Sequence, residues 1–296
     1  MSITDNRWYL GARPRTLPAA VVPVAVGTAA AVGAGAALAP WRAVAALVVS
    51  LAIQIGTNFA HDYSDGIRGT DAKRVGPVRL VASGLATAKA VKRAAFVSFG
   101  VAALVGLALA AVAGWWLILV GGACIAAGWF YTGGPRPYGY AGFGEAFVFV
   151  FFGLVATAGT TYVLVERLTG LALGAAVPVG LLTVALLVVN NLRDIPTDVV
   201  SGKHTLAVRM GERSTRAFYV VLLAGAFVAV PLVAGLGGRP LAALALATVP
   251  FARKPAEVVL RGAAGPALIP VLGRTGQLGL LFGAALSLGL WLSGLG

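Results

Sequence analysis

Charge is the scarcest property of this chain: only 11% of its 296 residues are Asp, Glu, Lys or Arg, against about 25% in soluble domains. An ordinary soluble globule is excluded, because too few polar side chains are present to cover one. Carboxylates are rarer still, with 10 in all. The single cysteine, Cys124, lies inside an apolar run, which excludes a disulfide framework and any cysteine-built metal site. Polar low-complexity tracts are missing, so intrinsic disorder is excluded as well. A nucleotide fingerprint is also lacking, since the glycines of Gly139-Tyr-Ala-Gly-Phe-Gly144 have the wrong spacing for one.

What the chain has in abundance is hydrocarbon, with 59% hydrophobic residues and 40 glycines. A bilayer-spanning helix needs about 20 largely apolar residues. Nine such runs occur, near 17–38, 42–60, 91–112, 115–131, 143–165, 170–190, 217–236, 240–252 and 275–295. The eighth is short and carries Pro250. The first follows Arg7, Arg13 and Arg15 but is longer than the apolar region of a signal peptide, and reads as a retained span. The expected architecture is all-α: nine transmembrane helices in a single integral-membrane domain over residues 1–296, with the lipid bilayer as solvent. Small residues four apart, as in Gly170/Gly174 and Gly279/Gly283, predict close helix packing.

The formal charge of +13 would suggest a nucleic-acid partner in a soluble protein. Here the bases fall between apolar runs with no binding module, so no nucleic acid is expected. With the N-terminus placed in the cytoplasm, 20 of the 23 Lys and Arg residues fall on inner segments, and only Arg42, Arg167 and Arg239 on outer ones. That split obeys the positive-inside rule. It predicts a multi-pass plasma-membrane protein with its C-terminus outside and its two long loops, near 61–90 and 191–216, in the cytoplasm.

The acids carry the chemistry. Five of six aspartates lie at two inner membrane exits: Asp62, Asp65 and Asp71 after the second run, Asp194 and Asp198 after the sixth. On a continuing helix, Asn58, Asp62 and Asp65 share one face, and Asn190, Asp194 and Asp198 do the same. Pro196 would kink the second of these helices. An isolated Asp at a helix end is ordinarily a cap or a solvated face. Two matched clusters in so acid-poor a chain call for more, because a carboxylate near hydrocarbon costs about 2.5–3.5 kcal/mol. Clustered carboxylates also repel unless cations neutralise them, and oxygen donors with flanking amides suit Mg²⁺. Basic residues follow each cluster: Arg68, Lys73, Arg74 and Arg79, then Lys203 and Arg209. Carboxylates, a divalent ion and interleaved bases together describe a diphosphate site. Of the other acids, Glu145 reads as an intramembrane residue and Glu166 as an outer-loop charge. His61 and His204 lie beside the clusters and are read as hydrogen-bonding partners rather than ligands.

Several segments taken in order resemble the UbiA superfamily of intramembrane aromatic prenyltransferases: residues 12–20 (Ala-Arg-Pro-Arg-Thr-Leu-Pro-Ala-Ala), Asp62-Tyr-Ser-Asp-Gly-Ile-Arg-Gly-Thr-Asp71, Gly76-Pro-Val-Arg-Leu-Val81, Tyr131-Thr-Gly-Gly-Pro-Arg-Pro-Tyr-Gly-Tyr140, Asn190-Asn-Leu-Arg-Asp-Ile-Pro-Thr-Asp198 and Gly202-Lys-His-Thr-Leu-Ala-Val-Arg209. The likeness is greatest to the branch that prenylates 1,4-dihydroxy-2-naphthoate for menaquinone. The superfamily's first motif, Asn-Asp-x-x-Asp-x-x-x-Asp, departs here in having His61 for its Asn and Gly69 for its third Asp. Asn58 and Asp71 are then the nearest substitutes.

The resemblance implies a nine-helix fold and an Mg²⁺-dependent transfer of a prenyl chain from an allylic polyprenyl diphosphate to the naphthoate, with loss of CO₂ and diphosphate. It implies catalytic and metal-binding roles for Asp62, Asp65, Asp194 and Asp198, with Asn58, Asp71 and Asn190 in support, and diphosphate contacts by Lys73, Arg79, Lys203 and Arg209. Tyr63, Tyr131, Tyr138 and Tyr140 either stabilise the allylic cation through their π-faces or form an interfacial belt. Two alternatives stand beside this reading: a prenyltransferase of the same family with another acceptor, such as 4-hydroxybenzoate, and a cation transporter. The transporter is disfavoured because the acids occupy one face and no inverted repeat is evident.

Overall fold

The computed structural model describes residues 6–35, 39–70 and 78–294, and all regular structure among them is helical. The chain opens with a short helix, α1 (Arg7–Ala12), and a 3-10 turn at Pro14–Thr16, bent by 51° against α2 (Pro18–Gly33). Arg13 makes the bend possible by adopting left-handed φ of 52°, which terminates α1. Then follow α3 (Pro40–Arg68), α4 (Ala88–Ala113), α5 (Leu117–Phe130), α6 (Gly144–Val165), α7 (Gly170–Val200), α8 (Leu206–Leu236), α9 (Val249–Leu260) and α10 (Ile269–Ser293). A 3-10 stretch at Pro240–Thr248 leads into α9.

Sequence explains most of the ends. Thr87, Thr169 and Thr205 cap α4, α7 and α8, each accepting a hydrogen bond from the backbone N–H three residues on, which satisfies one of the donors a helix start leaves open. Pro18 and Pro40 sit in the first turns of α2 and α3, where a missing N–H costs nothing. Gly69 closes α3 with φ of 70°.

Among the described residues, six helices are long and apolar enough to cross a membrane, and the bent pair of α1 and α2, taken as one span, makes a seventh. The expected spans at 115–131 and 240–252 correspond to shorter elements: α5 has 14 residues, and the other is divided between the 3-10 stretch and α9. Of the two expected long loops, 191–216 is largely helix, whereas 61–90 is helical only at its two ends among its described residues. The second span continues eight residues past its expected end, to Arg68, and the sixth runs on to Val200 without breaking at Pro196. The acids therefore ride on the last turns of α3 and α7 themselves.

α7 is the central helix, with 61% of its apolar window buried, packed by α2, α6, α8 and α10. Glycine permits the tightest crossing. α6 has a π-helical stretch at Phe149–Val155, and a Cβ on its Gly153 would lie 2.6 Å from the Cα of Gly180 on α7. Of the glycine pairs named above, Gly283 does pack tightly, its Cβ position 2.5 Å from Val22, whereas Gly170 and Gly279 face open space. α3 and α7 end on the same face. At the opposite end, Arg42 of α3 bonds Glu166 at 2.7 Å.

Candidate active site

Two acidic helix ends are joined through Lys203, whose ammonium approaches Asp65 and whose backbone N–H donates to the Asp198 carbonyl at 2.8 Å. Asp65 on α3 and Asp198 on α7 both lie within electrostatic reach of Tyr131, just past the end of α5. Carboxylates at helix C-termini face the negative ends of two helix dipoles and repel each other, so the site attracts cations. The protein supplies some of them. Lys203 Nζ lies 3.2 Å from Asp65 Oδ2, and Arg193 grips Asp194 with two bonds of 2.6 and 2.7 Å.

Tyr140 ties this cluster together. Its hydroxyl donates to Asp65 Oδ1 at 2.5 Å, and its ring lies 4.7 Å from the Lys203 ammonium and 5.5 Å from the Arg68 guanidinium. Burial, and then the Asp65 carboxylate, push the Tyr140 phenol well up, so it stays a neutral donor. Arg68 in turn donates to the carbonyls of Thr132 and Gly134, which pins the 131–140 segment against α3.

The remaining candidates divide. Asp62 is fully buried and accepts from the backbone N–H of Leu80 at 2.8 Å and of Val81 at 3.0 Å; it anchors the segment that carries Arg79. Asn58 donates to the Ala12 carbonyl and to Thr16 Oγ1, both at 2.9 Å, holding the bend between α1 and α2. Asn190 Oδ1 accepts from Arg193 at 2.9 Å, orienting the guanidinium that holds Asp194. Arg209 is exposed and donates to the His204 carbonyl. Tyr63 is not brought to the cluster: it stacks on Trp129 at 5.9 Å, with Lys92 over its ring. Asp71 and Lys73 lie outside the described residues.

An apolar cavity of about 170 Å³ adjoins the cluster. Tyr131 and Tyr138 line it, their rings 5.4 Å apart and edge-on, and Tyr138 stacks on Phe147 at 4.0 Å. The Tyr138 hydroxyl donates to the Ala127 carbonyl, so this tyrosine offers the cavity a π-face. Two residues that spacing did not single out also stand here. Glu145 and Asn191 hydrogen-bond at 2.9 Å in the interior. The signal for Glu145 was its charge inside an apolar run; nothing in the sequence signalled its partner.

The donors fit Mg²⁺ in one particular way. Among the described residues, no three of His, Cys, Asp and Glu gather closely enough to cage an ion. Mg²⁺ is ordinarily held by one or two carboxylates together with substrate phosphates. Hard oxygen donors on two facing, negatively poled helix ends suit that arrangement.

The UbiA prenyltransferase family model matches residues 20–262. The chain is 50% identical over 281 residues to a 1,4-dihydroxy-2-naphthoate octaprenyltransferase of Mycobacterium tuberculosis, covering 95% of each. It is 38% identical to the Escherichia coli protein of the same name, covering 97% of this chain and 95% of that one. Among solved structures, it resembles a UbiA homolog from Archaeoglobus fulgidus bound to DMAPP and Mg²⁺, with a TM-score of 0.65, 15% identity and coverage of 97% and 99%. The apo UbiA homolog from Aeropyrum pernix gives a TM-score of 0.69 at 13% identity, covering 90% and 96%. Family model, sequence relatives and fold agree: the chain belongs to the UbiA prenyltransferase family.

Proposed function

We propose that this protein transfers a polyprenyl chain from an allylic polyprenyl diphosphate to 1,4-dihydroxy-2-naphthoate. The products are CO₂, diphosphate and the prenylated naphthalenediol, the quinol form of demethylmenaquinone. The observation that carries the proposal is 50% identity, over 95% of both chains, to a naphthoate octaprenyltransferase. The geometry supports it: a cation-seeking acidic cluster adjoins an apolar cavity that two tyrosine rings line. That layout suits a diphosphate head joined to an isoprenoid tail.

The proposed topology has nine crossings in the plasma membrane, with the acidic end in the cytoplasm. At about 2.0 Å per 3-10 residue and 1.5 Å per α residue, the 9 and 12 residues of Pro240–Leu260 reach about 36 Å, enough for the hydrocarbon core. The 14 residues of α5 reach only about 21 Å, and Trp115 and Trp116 flank them as interfacial anchors.

In this reading Asp65 and Asp198 would hold Mg²⁺ together with the substrate diphosphate, with Asp62 and Asp194 completing the two motifs. Bound there, Mg²⁺ would neutralise the departing diphosphate oxygens. The protein's own groups do the rest. Lys203, Arg79 and Arg209 offer the leaving group positive charge, with Lys203 shared between it and Asp65. Lys73 is proposed for the same role on its place in the motif alone. Tyr131 and Tyr138 face the allylic cation with their rings, and the apolar walls keep water from it.

The test is prenyl transfer by detergent-purified protein with Mg²⁺, with EDTA, and in Asp65→Ala and Asp198→Ala variants. Prenylation of the naphthoate that is lost in all three cases is expected. Prenylation of 4-hydroxybenzoate but not of the naphthoate would overturn the acceptor. No transfer to either acceptor by folded protein would overturn the activity.

A further inference from the structure

Glu145 is a buried carboxylate that the reaction as described leaves unused. It lies in the first turn of α6 and is 5% exposed. Asn191 donates to its Oε1 at 2.9 Å, while its Oε2 is buried without a hydrogen bond. Keeping a carboxyl oxygen unsatisfied in the interior is costly. A glutamine would fill the same volume without the acid, so structure alone gives no reason for a carboxyl here.

Its position supplies one. The backbone of this turn presses on Tyr131: a Cβ on Gly144 would lie 2.9 Å from the Tyr131 hydroxyl. Tyr131 is within electrostatic reach of Glu145, Asp198 and Asp65, and it lines the cavity with Tyr138 and Phe147. Glu145 therefore stands behind Tyr131, the residue at the seam between the acidic cluster and the apolar cavity. An aromatic acceptor must occupy that seam for its ring carbon to meet the first carbon of the prenyl chain.

We infer that Glu145, oriented by Asn191, accepts the proton of the acceptor's ring hydroxyl during carbon–carbon bond formation; this rests on the prenyl-transfer reading. The prenyl C–O bond breaks and its electron pair leaves with the diphosphate. As the ring carbon bonds to the prenyl carbon, the hydroxyl O–H bond breaks, the proton passes to Glu145 Oε2 and the ring becomes a ketone. The bond to the carboxylate then breaks, and CO₂ departs. Its electron pair restores the aromatic ring, and the ring oxygen takes the proton back from Glu145. No oxidant or reductant is needed, and the carboxylate ends as it began.

The titratable groups on the elements packed against Glu145 are Tyr131, Tyr138 and Tyr140 on one side, and Arg193, Asp194 and Asp198 of α7 on the other. Tyr138 is committed to the Ala127 carbonyl, Tyr140 to Asp65, and Arg193 to Asp194. Asp198 and Asp65 belong to the diphosphate end, which leaves Glu145 as the carboxylate nearest the acceptor.

The experiment is steady-state transfer to dihydroxynaphthoate across pH by wild type, Glu145→Gln and Glu145→Asp. Glu145→Gln preserves size and the Asn191 contact but cannot take a proton. The expected result is a kcat about 10²- to 10⁴-fold lower, with an unchanged KM for the prenyl diphosphate. That rate should climb about tenfold per pH unit as the acceptor hydroxyl ionises unaided. Glu145→Asp should give an intermediate rate and a profile shaped like wild type. A folded Glu145→Gln enzyme with wild-type kcat, or with an equal loss at every pH, overturns the inference. If that variant does not fold, wild-type kcat in Glu145→Asp overturns it instead. Wild-type protein that leaves the naphthoate unprenylated refutes the activity itself rather than the role of Glu145.

Discussion

Asp62 offers the sharpest separation of anchoring from chemistry. Both of its oxygens are engaged by backbone N–H groups, Leu80 at 2.8 Å and Val81 at 3.0 Å, in a site with no solvent exposure. Asp62→Ala would leave the buried Leu80 N–H and the part-buried Val81 N–H unsatisfied, at about 1–3 kcal/mol for the first and about 1 kcal/mol for the second. The segment around Leu80 would thus lose on the order of 2–4 kcal/mol of anchoring. At about 1.4 kcal/mol per decade, its local opening becomes about 30-fold to about 700-fold more frequent. Asp62→Asn keeps one acceptor and should fall near the lower end. Amide hydrogen exchange read at Leu80 and Val81 in detergent-solubilised protein reports that factor directly. Transfer activity should fall with it, because Arg79 rides on the released segment. Asp65→Ala should abolish activity while leaving both amides protected. Protection at Leu80 and Val81 within threefold of wild type, in folded Asp62→Ala protein, would refute the anchoring role.

Two further outcomes are expected. Lys203→Met strips Asp65 of its ammonium partner and the diphosphate of a positive charge, so the KM for prenyl diphosphate should rise at least about tenfold; an unchanged KM would place Lys203 outside the diphosphate site. Gly121 and Gly159 line the apolar cavity, and a Cβ on either meets nothing within 4 Å. Gly121→Leu should therefore fill tail space and shift product chain length downward in competition between short and long prenyl diphosphates, and an unshifted ratio would mean the tail runs elsewhere.

Much of the fold was legible because hydrocarbon burial acts on each segment separately. A run of about 20 apolar residues is helical in lipid whatever its neighbours, since its backbone polar groups have no other partners. The helix ends were less legible. Acids and a proline marked the exits of the second and sixth runs as loops, yet α3 and α7 carry Asp62, Asp65, Asp194 and Asp198 as helix. Tertiary partners such as Lys203 and Tyr140 hold Asp65 there, and Pro196 is absorbed without a break.

By itself, then, the sequence determined the membrane class, the placing of its bases between apolar runs, and the two matched aspartate clusters. These follow from composition and from spacing along one chain. Only the tertiary structure decided that Asn58 and Asp62 bind backbone, that Tyr63 turns toward Trp129, and that Glu145 meets Asn191 beside Tyr131. Those pairings join residues far apart in sequence. Whether a buried polar group is an anchor or a reactive centre depends on which partner the fold brings within about 3 Å of it, and no one-dimensional spacing records that distance.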